Sequence, residues 1–365
     1  MKFSILQQDL QPILSSVARS VGVHSTLPVL DNILLSAESK NLKVVATNLE
    51  IGVIKTVPAE VEVEGAITAP AKTLVEIISG LGPKLINFAL EGENLQISSD
   101  HFKATLNCIP ASEFPAIPVS SQKGIAFPKD AFLTSGQILF ASAVDEGRPQ
   151  LTGILTEAKD GKLEFVATDG FRLAHRSVGL EDKKTSFKSL IPRRTFEELL
   201  RIIAEEEVDK VDIATSENQN QAIFSLGKTI VSSRLIEGVF PNWEKIIPTE
   251  IVGRAILEKD EFLKAIKLAA VFTKTEANIL IIDVKKSGLS LSSSAKELGN
   301  QENLVEANVE GEMQIAFNTK FLLDAINNIP TTQVIMEFSG PLSATLVKPI
   351  GEEGLEFIIM PVRLS

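Results

Sequence analysis

Tyrosine is absent from the 365 residues, cysteine and tryptophan occur once each, and histidine occurs three times. The single thiol, Cys108, excludes an internal disulfide and a zinc site built on several thiolates, and it fits a reducing compartment. His24, His101 and His175 lie in separate segments without metal-ligand spacing, so neither a metal nor a cofactor is expected. With Trp243 alone, a platform for stacking single-stranded bases is missing. No window approaches the roughly 18 consecutive apolar residues of a membrane span. The opening MKFSILQQDLQPIL carries no small-residue cleavage site of the signal-peptide kind, and the expected location is the cytoplasm.

Catalytic signatures are equally scarce. Neither GxSxG nor HExxH occurs. SLGKT at 225–229 ends like a phosphate loop, but Ala222 stands where its first glycine belongs, and the surrounding pattern is strand and hairpin. Cys108 beside Ile109 reads as a small packed residue, and the run Glu205, Glu206, Glu207 after a helix reads as a solvated face. Asp169 and Arg172 in TDGFRL could be an acid with a clamp. The plainer reading is a turn in which Gly170 takes a positive φ and Asp169 bonds nearby backbone.

What is present is a phrase written twice. Residues 44–53 read VVATNLEIGV and residues 165–174 read FVATDGFRLA, and a repeat at this scale governs the whole fold. Around it, each third opens with a helical segment. DLQPILSSVARSV carries Leu10, Ile13, Leu14, Val17 and Val21 on one face, and KDEFLKAIKLAAVF carries Phe262, Ile266, Ala269 and Ala270. The middle copy, PKDAFLTSGQILFASA, places Phe132, Gly136, Leu139 and Ala143 at similar spacing. Apolar strands follow in TLPVLDNILLSA, RPQLTGILTEA and EANILIIDVKK, beginning near 28, 149 and 277. A second helix comes in TAPAKTLVEIISGL, LIPRRTFEELLRIIA (stripe Phe196, Leu199, Leu200, Ile203) and AFNTKFLLDAINNI, and the thirds close at Pro115, Pro241 and Pro361. Two helices and several short strands per third predict α+β domains, with helices packed on antiparallel sheets. Boundaries are expected at 1–121, 122–247 and 248–365.

The net charge of −11 argues against nucleic acid on its face. By thirds, basic and acidic groups number 8 and 12, 17 and 19, and 11 and 16, or −4, −2 and −5. The distribution matters more than the sum. Arg19, Lys72, Arg193, Arg194, Arg201, Lys264, Lys267 and Lys320 lie off the apolar stripes of the helices. In one domain this is an ordinary solvated face. Repeated in three like domains joined end to end, it becomes a dispersed basic surface that holds a phosphate backbone without reading bases.

MKF, TLPVLDNILL, RPQLTGI, VATDGFRLA, IPRR, GVFPNWEKIIP and IIMPVRL, in this order and over essentially the whole chain, resemble the bacterial DNA polymerase III beta subunit family, the sliding clamps. The resemblance implies a non-catalytic processivity subunit of three repeated clamp domains, forming half of a head-to-tail homodimeric ring around double-stranded DNA. It also implies partners that dock through short peptide motifs: the replicative polymerase alpha subunit, the clamp loader, other polymerases and repair proteins. The implied pocket is lined by Leu151, Thr168, Gly170, Phe171, Arg172, Leu173, Pro241, Lys245, Ile246, Asn318, Phe321, Leu342, Ile358, Ile359, Met360, Pro361, Val362 and Arg363. His24 and Arg148 join the DNA-facing set, and the dimer contact would bring Val271 and Phe272 to Ala104 and Leu106. Three positions depart from the family pattern: His24 replaces a permanently charged residue, Ala277 a larger one, and Ser365 extends the terminus. Two other classes stay open here, a nucleotide-handling enzyme using Asp169, Arg172 and the GKT segment, and a structural repeat protein that never meets DNA.

Overall fold

A computed structural model describes residues 1–22, 27–120, 124–145, 147–216, 220–273, 278–296 and 298–364; His24, Ala277 and Ser365 lie outside them. The chain packs as two compact units, Met1–Leu133 with Arg194–Leu235, and Thr134–Arg193 with Ile236–Ser365.

The first unit holds two antiparallel sheets. One runs, in spatial order, Glu60–Val63, Lys2–Leu6, Leu85–Glu91, Asn94–Ser99 and Phe102–Asn107; the other runs Ile109–Pro110, Gly65–Pro70, Asn32–Glu38, Asn41–Thr47, Ile51–Pro58, Thr229–Arg234, Gln221–Leu226, Lys210–Thr215 and Ile125–Pro128. The second unit repeats the plan. Its larger sheet runs Phe187–Pro192, Gly153–Lys159, Lys162–Thr168, Arg172–Gly179, Leu355–Ile359, Thr345–Pro349, Gln333–Phe338, Gly253–Glu258 and Ala307–Glu310, and its smaller one Gly299–Val305, Gly288–Ala295, Ile279–Lys285 and Met313–Asn318.

In both units the strand after the repeated phrase carries the sheet from one third into the next. Ile51–Pro58 pairs with Thr229–Arg234, Ser233 opposite Ile51, and Arg172–Gly179 pairs with Leu355–Ile359, Ile359 opposite Arg172. Sequence repeats and packing units are therefore different partitions. Backbone ladders cross from third to third, so 194–235 belongs to the first unit while 134–193 belongs to the second.

Among the described residues six α-helices cover the sheets: α1 (Gln7–Val17), α2 (Ala71–Gly80), α3 (Lys129–Ser135), α4 (Arg193–Glu205), α5 (Lys259–Thr273) and α6 (Thr319–Asn327). On α1, Leu10, Leu14 and Val17 are buried and Ile13 stays at the margin, while Val21, expected on the same face, lies beyond the helix after a 3-10 turn over Ala18–Ser20. On α5, Phe262, Ile266 and Ala269 are buried and Ala270 is half-buried. On α4 the apolar stripe centres on Leu199, which puts Ile202 inside and leaves Leu200 at the edge, a shift from the expected face. Its four fully buried apolar side chains, Phe196, Leu199, Ile202 and Ile203, contribute about 6–12 kcal/mol in transfer terms.

The middle opening segment departs further. After α3 the chain tightens into a 3-10 turn over Gly136–Ala141, and the wholly buried residues are Phe132, Ser135, Ile138 and Ala141, spaced by three. Leu139 and Ala143, expected on the stripe, are only half-buried. A 3.6-residue template misplaces a face whose true period is 3.0. The strands expected near 28 and 149 begin instead at Asn32 and Gly153, because 3-10 turns opened by Pro28 and Pro149 come first. Proline has no N–H to give a ladder. The third begins at Ile279.

Candidate functional site

The repeated phrase folds into the same turn twice. In the first copy Thr47 Oγ1 donates to Ile51 O at 2.7 Å and accepts from Leu49 N at 3.0 Å, while Asn48 Oδ1 accepts from Glu50 N and Ile51 N. In the second, Thr168 Oγ1 donates to Arg172 O at 2.6 Å and accepts from Gly170 N at 3.1 Å, while Asp169 Oδ1 accepts from Phe171 N and Arg172 N. Both turns need a left-handed residue at the third position. Gly170 takes it at φ 92°, and in the first copy Leu49 takes it at φ 75°.

The copies diverge at the fifth position, Ile51 against Arg172. The turn reading of Asp169 and Gly170 holds, but Arg172 does more. Buried to 8% exposure, it donates through Nε to Asp169 Oδ2 at 3.0 Å, through Nη1 to Asp324 Oδ2 at 2.6 Å, and through Nη2 to the Phe140 carbonyl at 2.7 Å. Its guanidinium carbon lies 4.5 Å from the ring centroid of Phe321 and 5.2 Å from that of Phe140. A planar fork held on three sides and stacked on aromatic faces is a use that only arginine satisfies. It ties the turn to α6 and to the 3-10 turn Gly136–Ala141.

An apolar rim surrounds this clamp. Phe171, 60% exposed, stacks on Phe321 at 6.4 Å between centroids, and Leu342, Met360 and Ile246 are also exposed. The C-terminal segment is stitched beside them: Met360 N donates to Phe171 O and Val362 N to Ala316 O. Leu173 and Ile358, paired across adjacent strands, belong to a buried cluster with Leu155, Val166, Leu190, Phe240, Trp243 and Leu346. Leu151, Thr168 and Ile359 are buried too, so with Arg172 six of the expected lining residues lie beneath the surface rather than on it. Asn318 caps α6, its Oδ1 accepting from Lys320 N and Phe321 N. Pro241, Lys245 and Arg363 are exposed, and Pro361 and Val362 half-buried. Reading the sequence alone missed Phe140 and Asp324. A lone carboxylate in the apolar helix segment FLLDAI was the available signal for the second.

The expected DNA-facing residues fall into three groups. Lys72, Arg194, Lys264, Lys267 and Lys320 are exposed, and no ion pair engages them among the described residues. Arg19 is instead paired with Glu198 and Glu205, both at 2.6 Å, and Arg201 with Glu198 at 3.1 Å. Arg148 lies at the turn, its Nη2 donating to Asp169 O at 3.4 Å, and Arg193 opens α4 half-buried. For the dimer contact, Ala104 and Leu106 lie on Phe102–Asn107, an edge strand, and Val271 and Phe272 on the last turn of α5. Gly299–Val305 is one edge strand of the smaller sheet in the second unit and was not singled out from sequence.

The motifs set aside meet in one cleft. Gly227 and Lys228 turn a hairpin between two strands, with no helix following, and they line a cavity of about 900 Å³ with Glu205, Glu206 and Glu207. The acidic run is not simply solvated: buried Lys55 bonds Glu205 at 3.1 Å and Glu206 at 2.9 Å, and Thr229 donates to Glu206. Among the described residues no group of three or more His, Cys, Asp or Glu could hold a metal ion, and no helix is long and apolar enough to cross a membrane.

Three family profiles tile the chain: the DNA polymerase III beta subunit N-terminal domain over 1–118, its central domain over 132–242 and its C-terminal domain over 244–363. The chain is 31% identical over 377 residues to the beta sliding clamp of Synechococcus elongatus and 30% identical over 378 residues to that of Caulobacter vibrioides, covering 100% of both chains in each case. Among solved structures, the Pseudomonas aeruginosa sliding clamp bound to griselimycin superposes with a TM-score of 0.94 at 28% identity, and the Bacillus subtilis clamp with 0.94 at 26%, each over 100% of both chains.

Proposed function

This chain belongs to the DNA polymerase III beta subunit family, the bacterial beta sliding clamps, and from that premise we propose how its residues divide the work of a clamp. The protein is a non-catalytic processivity factor: a homodimeric ring that encircles duplex DNA in the cytoplasm, tethers the replicative polymerase, and serves as a docking platform for the clamp loader and for repair proteins. Its three clamp domains are taken as 1–121, 122–247 and 248–365.

Exposed and unpaired, Lys72, Arg194, Lys264, Lys267 and Lys320 are the residues we assign to DNA. Long cations on solvated helix faces attract phosphate at any sequence and release it easily, which sliding requires. Arg19 and Arg201, held by carboxylates, contribute less. Topological linkage then supplies the persistence that these weak contacts lack. The edge strand Phe102–Asn107 needs a partner, and the head-to-tail contact with the α5 end of a second copy supplies one.

The peptide pocket is assigned to the surface around Phe171, Phe321, Met360, Ile246 and Leu342. The observation that carries it is the contrast between an exposed apolar rim and the rigid arginine clamp beneath it. Preformed apolar surface with a few fixed polar groups is what a short hydrophobic peptide needs, because little ordering remains to be done on binding. Griselimycin should occupy the same surface. The test is paired: Phe171→Ala should weaken griselimycin at least tenfold while leaving retention on nicked circular DNA intact in the presence of the loader. Lys264→Glu with Lys267→Glu should do the reverse. If both variants impair both assays equally, the division of labour is wrong.

A further inference from the structure

The imidazole of His175 is buried in the second unit and takes no part in the contacts described so far. It stands two residues beyond Leu173 on Arg172–Gly179, hence on the same face of the sheet. Nδ1 lies 3.4 Å from Glu356 Oε2, and Nε2 lies 3.5 Å from Glu164 Oε1, off line for a hydrogen bond. The indole of Trp243 covers the ring, with centroids 4.4 Å apart and planes inclined by 38°. Trp243 is the last buried residue before the turn Glu244–Ile246, which carries Lys245 and Ile246 of the pocket rim.

The surrounding charges are arranged by sign. Glu164 faces the ring from Lys162–Thr168 and Glu356 from Leu355–Ile359, with Lys348 and Lys162 acting on Glu356 from further away. Beyond them, Lys348 pairs with Glu337 at 2.6 Å and Arg254 with Glu337 at 3.1 Å. Arg176, next on the same strand, is held by Glu352, and on the covering segment Glu244 and Lys245 are exposed. Charges thus alternate across six neighbouring strands, and His175 is the one member able to gain or lose its charge near neutral pH.

A neutral imidazole there leaves two half-buried carboxylates facing each other across an uncharged ring. An imidazolium attracts both carboxylates and is itself attracted to the indole face. Burial disfavours the charge, the two carboxylates outweigh it, and His175 titrates above its ordinary 6.5.

We propose that His175 is a positioning residue for the peptide pocket: its charged form holds Trp243, and so keeps the turn Glu244–Ile246 in the conformation that completes the rim. This rests on the pocket assignment above. The sign follows from which form holds the rim. Affinity is greatest below the folded-state pKa of His175 and falls as pH rises through it.

The experiment uses the full-length protein and griselimycin. Trp243 is the only tryptophan and tyrosine is absent, so intrinsic emission reports on the surroundings of Trp243, His175 among them. Across the titration of His175, the parent should lose at least about fivefold in griselimycin affinity, the lower range of ordinary coupling between sites, while its emission changes over the same pH window. His175→Gln should bind at the weak level at every pH with emission that no longer titrates. Glu356→Gln, which keeps the imidazole, should move both midpoints to lower pH. Flat affinity in the parent, or a full pH dependence surviving in His175→Gln, overturns the proposal. Phe171→Ala separates the two readings: if it weakens griselimycin but the parent curve is flat, only the role of His175 falls. If Phe171→Ala leaves affinity unchanged, the pocket assignment falls and this proposal with it.

Discussion

Changing Arg172 to Lys keeps the charge and removes the fork. In the parent, Nε, Nη1 and Nη2 reach three acceptors at 3.0, 2.6 and 2.7 Å, and the guanidinium lies against Phe321. An ammonium is a point donor that serves one of these directions well and stacks poorly. A hydrogen bond involving a charged group contributes about 1.5–3 kcal/mol. Two of the three are lost, but Asp324 is 27% exposed, so water replaces part of the second. The expected loss is about 2–3 kcal/mol, confined to the unit that contains Arg172, or roughly 4–12 °C in Tm for a unit of this size. Trp243 lies in that unit and is the only tryptophan, so melting followed by its fluorescence reads the right half of the molecule. Griselimycin should bind about tenfold more weakly, a difference of about 1.4 kcal/mol, since Phe171 and Phe321 lose their shared anchor. Asp324→Asn combined with Arg172→Lys should then be less than additive by about 1 kcal/mol. A Tm within about 1 °C of the parent, together with unchanged affinity, would refute the clamp.

Some of this was legible in the sequence and some was not, for physical reasons. The triple repeat, the paired turns, the stripes of α1 and α5 and most of that of α4 could be read because each rests on local rules: periodicity, turn chemistry and burial of one face. The 3-10 turn after α3 escaped because four residues spaced by three look like an imperfect helix until the period is known. The compact units escaped altogether. They depend on pairings such as Thr229 with Lys55 and Arg172 with Ile359, which join segments far apart in sequence. The same holds for Arg172: its type and its turn were visible, but its partners Phe140 and Asp324 are 32 and 152 residues away. For Arg19, exposure off an apolar stripe suggested a free cation, whereas Glu198 and Glu205 neutralise it from a helix that begins about 170 residues later.

The paired turns invite opposite substitutions. Leu49→Gly should stabilise the first unit by about 0.5–1 kcal/mol, since an exposed leucine gives up a left-handed backbone. Far-UV circular dichroism melts would show it, and a lower Tm would mean that Leu49 packs usefully. Gly170→Ala should cost about 1–2 kcal/mol, because φ is 92° and the new methyl group would meet Arg148 Nη1 at 3.2 Å; unchanged Trp243-monitored melting would contradict it. Deleting residues 360–365 should abolish griselimycin binding while keeping the circular dichroism spectrum, as it removes a rim held chiefly through the amides of Met360 and Val362. Retained affinity would place the pocket elsewhere. The last prediction concerns acid. Burial raises the pKa of Glu205, but bonds from Ser16, Arg19 and Lys55 outweigh it, so its carboxyl titrates below the ordinary 4.5. A depressed pKa contributes stability that is fully present above the unfolded value and is lost as pH falls through the folded one. The first unit should therefore weaken below about pH 4.5, and Glu205→Gln should lower its Tm at neutral pH while flattening that acid limb. Because Lys55 is buried and keeps Glu206 at 2.9 Å, the variant should remain folded. An acid limb as steep in Glu205→Gln as in the parent would assign the lability to other carboxylates.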